Sequence, residues 1–497
     1  MKTLIFYLVS TWLIFCSISC SKSKMPEVQP QLSSTKEISS FAFLKSNNPQ
    51  LIQDYQGIIT GTNISVNIPN GTDVKSLKAD FTISSKASIK IGSVVQENNV
   101  TANDFSNKIS YTITAEDLST KNYEVSLSLT GIAPNKDINN TTSYYTYIQN
   151  KLYINLSTVI PNTPLYGAYY GDAYNSRAYA DFDKDGDLDI MAVSLNATEN
   201  KGVDVEYYRN NGSSFSKDQS VFNGTVPQYV HGRKAIVADL DKNGWPDVVI
   251  AGHGYDKAPF PGEKVRLMMN TNGKFTTKDL GLPAGFYHSV CAGDIDNDGD
   301  IDLFVTNNFS VGKFMKNDGS GNFSYDATIF PTELANKGYY TSELYDLNND
   351  GYLDLINTGH EMDGANSIVL WGDYSGKYSI SRMAILPKVT NNQIAIDINF
   401  MDFNSDGKMD IVLVRTGDNT GSLTFYQGYY IQLIQNNGSS FTDATSAFMP
   451  QNSNSNTKWI NWIRIHDTDG DGDLDITTDD KFYGLEWKNN NGIFVRQ

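Results

Sequence analysis

The sequence predicts an all-β chain in two parts, an N-terminal β-sandwich followed by a β-propeller of six blades, with seven left open. Three observations carry that reading. From Ile38 to Leu129 short runs alternate apolar and polar residues, the period-two pattern of half-buried strands. Further on, an acidic loop flanked by apolar runs recurs six times, with first aspartates at Asp181, Asp239, Asp294, Asp346, Asp402 and Asp467. Self-similarity at such a period marks a repeat architecture. Composition agrees: 497 residues, 40% hydrophobic and 19% charged, with 29 Tyr and 39 Gly, are globular and lean towards strands.

The chain opens "MKTLIFYLVSTWLIFCSISC". Lys2 gives a short positive region, and the apolar run Leu4 to Phe15 is too short to span a bilayer. Ser17, Ile18, Ser19 and Cys20 follow, then polar residues. The segment resembles a bacterial lipoprotein signal, with Ser17 where leucine is usual. That resemblance implies a signal peptide over 1–20, a lipid on Cys20 and an outer-membrane lipoprotein exposed at the cell surface. The membrane is then touched only through the lipid. A plain secretory signal, for a periplasmic or secreted protein, is the alternative. Residues 21–36, rich in Ser, Lys, Pro and Gln, read as a flexible tether. Cys16 leaves with the signal and Cys20 carries lipid, so Cys291 has no partner and no disulfide is expected. A net charge of -17 makes nucleic acid and anionic membranes poor partners for the body of the protein.

Residues 37–130 hold the runs "ISSFAFLK", "NISVNIP", "ADFTIS", "SIKIGS", "ISYTITAED" and "NYEVSLSL", a sandwich pattern. Through "ISSFAFLKSNNPQL", "VNIPNGTDVKSLKADFT" and "YTITAEDLSTKNYEVSLSL" the segment resembles the immunoglobulin-like sandwich of surface lipoproteins of the Bacteroidota type. It reads as a spacer or as a binding module. "GIAPNKDINNTT" gives a linker over 131–142.

The region 143–497 repeats at gaps of 52 to 65 residues between first aspartates. Each unit reads strand, acidic loop, strand, long loop, strand, Asn/Gly turn, strand, which makes one four-stranded blade. "IQNKLYINLSTVIP" before the first loop reads as a lone strand that completes the last blade.

Each loop fits Asp-x-[Asp/Asn]-x-[Asp/Asn]-Gly-x-x-Asp. Alternate residues of a tight turn aim oxygens into one concavity, glycine at the sixth position permits the reversal, and the ninth residue returns a carboxylate. That donor set suits Ca²⁺, a hard cation taking six to eight oxygens. The expected ligands are Asp181, Asp183, Asp185 and Asp189; Asp239, Asp241, Asn243 and Asp247; Asp294, Asp296, Asp298 and Asp302; Asp346, Asn348, Asp350 and Asp354; Asp402, Asn404, Asp406 and Asp410; and Asp467, Asp469, Asp471 and Asp475. Up to six Ca²⁺ follow, bound more weakly where Asn243, Asn348 and Asn404 lower the charge. An EF-hand needs Glu at the twelfth position; this chain has Ala192, Ile250, Val305, Asn357, Leu413 and Thr478 there. The loops resemble those of the FG-GAP/VCBS repeat family, the blades of integrin-α-like propellers. The resemblance implies that calcium is structural. The Phe-Gly and Gly-Ala-Pro halves of the integrin version are not evident, so integrin-type ligand binding is not implied.

Loops at the other ends of the strands carry four of the five histidines. The candidate ligand residues are Tyr229, His231, Arg233, His253, Tyr287, His288, Tyr339, Tyr340, His360 and Trp462. Flat aromatic faces beside polar groups suit a sugar or peptide. A monomeric propeller that binds a glycan or another surface protein is the first expectation. A carbohydrate-active hydrolase or lyase on the same face is the alternative, and a structural subunit of a surface assembly is a second. No metalloprotease motif, nucleophile elbow or phosphate loop appears, so no catalytic residue is assigned.

Overall fold

The computed structural model describes residues 31–51, 53–69, 72–130, 174–194, 200–478 and 485–497, and they form two compact units that divide between Leu127 and Ser128. The expected signal over 1–20 with Cys20, the linker over 131–142 and the segment "IQNKLYINLSTVIP" lie outside the described residues.

In the first unit a three-stranded sheet (Ile38–Phe43 between Tyr55–Gln56 and Asp80–Ile83) packs on a six-stranded one centred on Ile109–Thr114 and Thr120–Thr130. The alternation does the sorting: in Asn63–Pro69, Ile64, Val66 and Ile68 are buried while Asn63, Ser65 and Asn67 between them face out. Phe41 of the small sheet meets Tyr111 of the large one edge-on at 5.8 Å. The sandwich also holds the end of the expected tether. Ser33 N donates to Glu116 Oε2 at 3.0 Å, and Lys36 Nζ to Ser119 Oγ at 2.8 Å.

The second unit holds six antiparallel sheets among the described residues, each with a four-stranded path; in the first and fifth a further strand, Gln228–Tyr229 and Ser453–Lys458, pairs with the third strand. Their first strands are Tyr174–Ala180, Gly232–Ala238, Tyr287–Gly293, Tyr339–Tyr345, Ile394–Met401 and Ile463–His466. Each first strand is almost wholly buried, whereas the fourth strands are largely exposed, as radially arranged blades require. Arg464 of the last sheet lies 6.0 Å from the Tyr179 ring of the first. The last sheet draws all its strands from its own unit, Ile463–His466, Asp475–Thr478, Glu486–Asn490 and Ile493–Arg496. The segment expected to complete this blade lies outside the described residues. Cys291 is buried on Tyr287–Gly293 and free.

Candidate functional site

All six acidic loops join the first and second strands of a sheet and close on the same hydrogen bonds. The first aspartate gathers the turn: Asp239 accepts from Asn243 N at 3.1 Å and Gly244 N at 2.8 Å. Asp181, Asp294, Asp346 and Asp402 do the same. Asp467 differs slightly, accepting from Gly470 and Gly472. The sixth-position glycines all have positive φ, from 83° to 99°, a region that costs a side chain.

The ninth aspartate is buried and ties the loop to the third strand. Asp247 accepts from Leu240 N at 2.9 Å and from Asn270 N at 2.6 Å. Asp189, Asp302, Asp354 and Asp475 repeat this pair of bonds. Asp410 accepts from Asn436 N at 2.7 Å.

Four loops bring three carboxylates together, with oxygens within 4.8 Å of one another: Asp181, Asp183 and Asp189; Asp239, Asp241 and Asp247; Asp294, Asp296 and Asp298; Asp467, Asp469 and Asp475. In the fourth and fifth loops Asn348 and Asn404 stand at the third position, and their amides donate to Asp350 at 3.1 Å and Asp406 at 3.4 Å. The donor set fits a hard divalent cation. Burial pushes the carboxyls of Asp247, Asp302 and Asp410 up to about 7 and that of Asp294 to about 6. A cation in the loop would keep them ionised. Asp183 Oδ1, Asp296 Oδ1 and Asp410 Oδ2 are buried without a hydrogen-bond partner. The sequence reading missed the basic residues of the third strands that face these loops. Arg209 pairs with Asp183, Lys316 with Asp296, and Lys488 with Asp469 at 3.2 Å.

The opposite ends of the same strands converge on a cavity of about 450 Å³. The second sheet supplies His231, Arg233, His253 and Asp256, and the third supplies Phe286, His288, Asn308 and Phe309. Tyr340, His360 and Asp363 come from the fourth sheet, Phe425 and Tyr426 from the fifth, and Trp459 from the approach to the sixth. The rings form a continuous series. His231 and His253 have centroids 3.9 Å apart, His253 and His288 4.7 Å, and His288 stacks on Tyr340 at 4.1 Å. Tyr340 to His360 and His360 to Phe425 are each 5.8 Å.

Burial holds the imidazoles of His231, His253 and His288 well below their ordinary pKa, and the Arg233 charge adds to this. They are neutral at pH 7. In His253, Nδ1 lies 2.9 Å from Gly254 O, so in the neutral ring Nδ1 carries the proton and Nε2 is the acceptor. His288 Nδ1 and His360 Nε2 are buried without a hydrogen-bond partner. Arg233 Nη2 donates to the Tyr340 hydroxyl at 2.9 Å, and the Tyr426 hydroxyl lies 3.4 Å from the same oxygen. Around the mouth, Phe309 is 67% exposed, Phe260 47% and Phe425 40%. Large apolar side chains this open are informative when they cluster beside a cavity.

Six of the ten ligand candidates line this cavity: His231, Arg233, His253, His288, Tyr340 and His360. Four do not. Tyr229 is in the core, its hydroxyl donating to Ile250 O at 2.8 Å. Tyr287 donates to Pro283 O at 3.0 Å, and Tyr339 packs in the core beside Leu334 and Ile368. The cavity takes Trp459 rather than Trp462. For Tyr287 and Tyr339 the reason is the strand period: Tyr287 and His288, or Tyr339 and Tyr340, point to opposite sides. Phe286, Phe309, Phe425 and Tyr426 were missed, although Phe286 directly precedes the candidates Tyr287 and His288 and Phe309 sits in the loop between the second and third strands of its sheet.

Two family models match the chain. One described as SGBP, N-terminal covers residues 42–127. The FG-GAP-like repeat matches five overlapping stretches, 181–250, 239–305, 294–357, 346–413 and 402–478. Among curated proteins, 105 residues are 30% identical to cartilage acidic protein 1 of Xenopus tropicalis, 20% of this chain and 15% of that protein. The chain thus spans a small part of that relative. Solved structures give fold-level likenesses. A DUF4623 family protein from Bacteroides eggerthii is 13% identical over 93% of this chain and 99% of its own, with a TM-score of 0.32. A glycoside hydrolase family 43 arabinoxylan arabinofuranohydrolase from Bacillus subtilis is 12% identical over 74% and 78%, with a TM-score of 0.28. Scores this low carry no argument about function.

Proposed function

The chain belongs to the FG-GAP-like repeat family, and on that premise we propose that it is a surface glycan-binding protein whose propeller takes a sugar chain in the cavity of His288, Arg233 and Trp459. One observation carries the reading: four histidines, an arginine, tyrosines and a tryptophan from five sheets meet in one cavity of about 450 Å³. Its size suits a few sugar units. The exposed faces of Phe309 and Phe425 offer platforms for pyranose rings, and the open nitrogens of His288 and His360 offer hydrogen bonds to hydroxyls. The N-terminal match to an SGBP domain supports the glycan class. A lipid on Cys20 would hold the protein at the outer membrane. Calcium in the acidic loops, at up to six sites, would fix the turns at the far ends of the strands and take no part in the sugar contact.

A second reading has a specific observation behind it. Neutral imidazoles packed against a Tyr340–Arg233 pair resemble a general base beside a charge stabiliser, so the site would suit a carbohydrate-active enzyme. One experiment separates the two. The purified chain is incubated with a panel of soluble polysaccharides, and retention in affinity gels and product formation are both read. Retention without new reducing ends or unsaturated sugars supports binding alone. Product formation supports the enzyme, and no retention on any polysaccharide sinks the glycan reading.

A further inference from the structure

The floor of the cavity holds a buried charge that, among the described residues, no carboxylate meets at ion-pair distance, although Asp256 of the same cavity feels it. Two other buried cations of this unit are paired, Lys234 with Glu343, and Arg415 with Glu361 at 3.0 Å. Arg233 is only 4% exposed, yet among the described residues no carboxylate pairs with it. Its Nη2 donates to the neutral Tyr340 hydroxyl at 2.9 Å, its guanidinium lies 5.2 Å from the Tyr340 ring, and its Nε is buried without a hydrogen-bond partner. A buried, unpaired guanidinium is costly to the fold. Such a group is what an anion-binding site needs, because its planar fork matches a carboxylate or an oxyanion ester.

We infer that the cavity floor recognises an anionic sugar, one bearing a carboxylate or a sulfate ester, whose anion pairs with Arg233. The inference rests on the glycan-binding reading and narrows it to a substrate class. The neighbours agree with it. His288 Nδ1 is buried and unpartnered on the same floor, so a neutral imidazole is at hand to complete the anion's hydrogen bonds. Tyr340 fixes the guanidinium by hydrogen bond and ring contact, so little side-chain freedom is lost on binding. Of the carboxylates of this cavity, Asp363 is exposed and lies 3.6 Å from His360 Nδ1, while the Asp256 carboxyl is pushed up by partial burial and feels the Arg233 charge without forming an ion pair with it. The site thus runs from an aromatic, acidic mouth suited to neutral hydroxyls to a cationic floor suited to one anion.

The test is calorimetry on the full chain with oligosaccharides in matched pairs. One pair is oligogalacturonate against its methyl ester, and the other is a sulfated galactan oligomer against its desulfated form. In one arm the anionic member should bind about tenfold tighter or more, as a charge-assisted pair gives, and the arm that does so names the anion. Arg233→Met should bring the two members of that pair level. Should that variant fail to fold, a salt series on the unaltered chain decides. Between about 0.05 and 0.5 M salt the anionic ligand should weaken while a neutral one holds steady. Equal binding of both members in both arms, or a salt-independent preference, overturns the inference and leaves glycan binding standing. A chain that retains no glycan at all overturns the glycan reading itself.

Discussion

Asn270 donates a hydrogen bond of 2.9 Å from its side-chain Nδ2 to the carbonyl of Phe182, in the preceding sheet. The same nitrogen reaches Pro246 O at 3.1 Å, while the Asn270 backbone N–H is held by Asp247. One residue therefore locks an acidic loop to its own third strand and to the neighbouring blade. Asn317 does this to Leu240 O and Asn436 to Leu347 O, both at 2.8 Å. The fourth sheet has Gly372 at this place and no side chain to form the link.

Asn270→Ala should therefore lower unfolding stability by about 1–3 kcal/mol, since it leaves a buried carbonyl without its donor. Asn210→Ala should cost less, because that amide bonds Leu188 O within its own sheet. Urea unfolding of the two variants checks the order, and equal losses would contradict the interblade role.

Calcium removal should loosen every blade at one end. Chelation is expected to lower the melting temperature, and added Ca²⁺, but not Mg²⁺, should restore it. Metal analysis should find four ions held more tightly than the rest, in the loops that gather three carboxylates each; the second loop, expected from Asn243 to be among the weaker, joins them because Asp239, Asp241 and Asp247 come together. A metal-free chain with unchanged melting would sink the assignment.

On the first strands of the second and fourth sheets, Lys234 and Glu343 form an ion pair with side chains 7% and 0% exposed. Lys234 also donates to Ser342 O at 3.2 Å. Glu343→Gln leaves a buried ammonium without its counterion and should cost about 3–5 kcal/mol. Lys234→Met combined with Glu343→Leu should recover most of that loss. Thermal unfolding of the single and double variants reads it directly.

The buried histidines set an acid limit. His288 is held neutral in the fold, well below its ordinary value of 6.5, by burial first and then by His253 and Arg233. The unfolded chain takes up a proton there as pH falls below about 6.5 while the folded chain does not, so the contribution is fully present above that pH and is lost as pH drops. His288→Asn should flatten the fall in stability between pH 7 and 5, seen as a shallower change in urea midpoint. An unchanged slope would mean that His288 is charged in the fold.

At the mouth, Phe309→Ala and Phe425→Ala should leave melting nearly unchanged, since both rings are exposed. Each should weaken glycan binding by about 0.5–1.5 kcal/mol or more. Calorimetry with a retained oligosaccharide reads the loss.

Much of this was legible in the sequence. The acidic loops carry their own register: an aspartate to gather the turn, a glycine for positive φ, a ninth aspartate for the third strand. The face carrying His231, His253, His288 and His360 was legible too, because those residues lie at the ends of strands remote from the loops. The sequence did not say which of two adjacent residues turns inward at a strand entrance. There the pairing register shifts, between Tyr287 and Ser289 and between Tyr339 and Thr341, so simple alternation cannot be projected through it. Links made between sheets, such as Asn270 to Phe182, have no local pattern, and neither does the lack of an ion pair at Arg233 among the described residues.

The most direct measurement of the central claim is a crystal structure of the chain soaked with an oligosaccharide it retains. Sugar density inside the cavity, stacked on Phe309 or Phe425 and within hydrogen-bond reach of His288, is the predicted result. Density on the N-terminal sandwich or among the acidic loops, with the cavity empty, would contradict it.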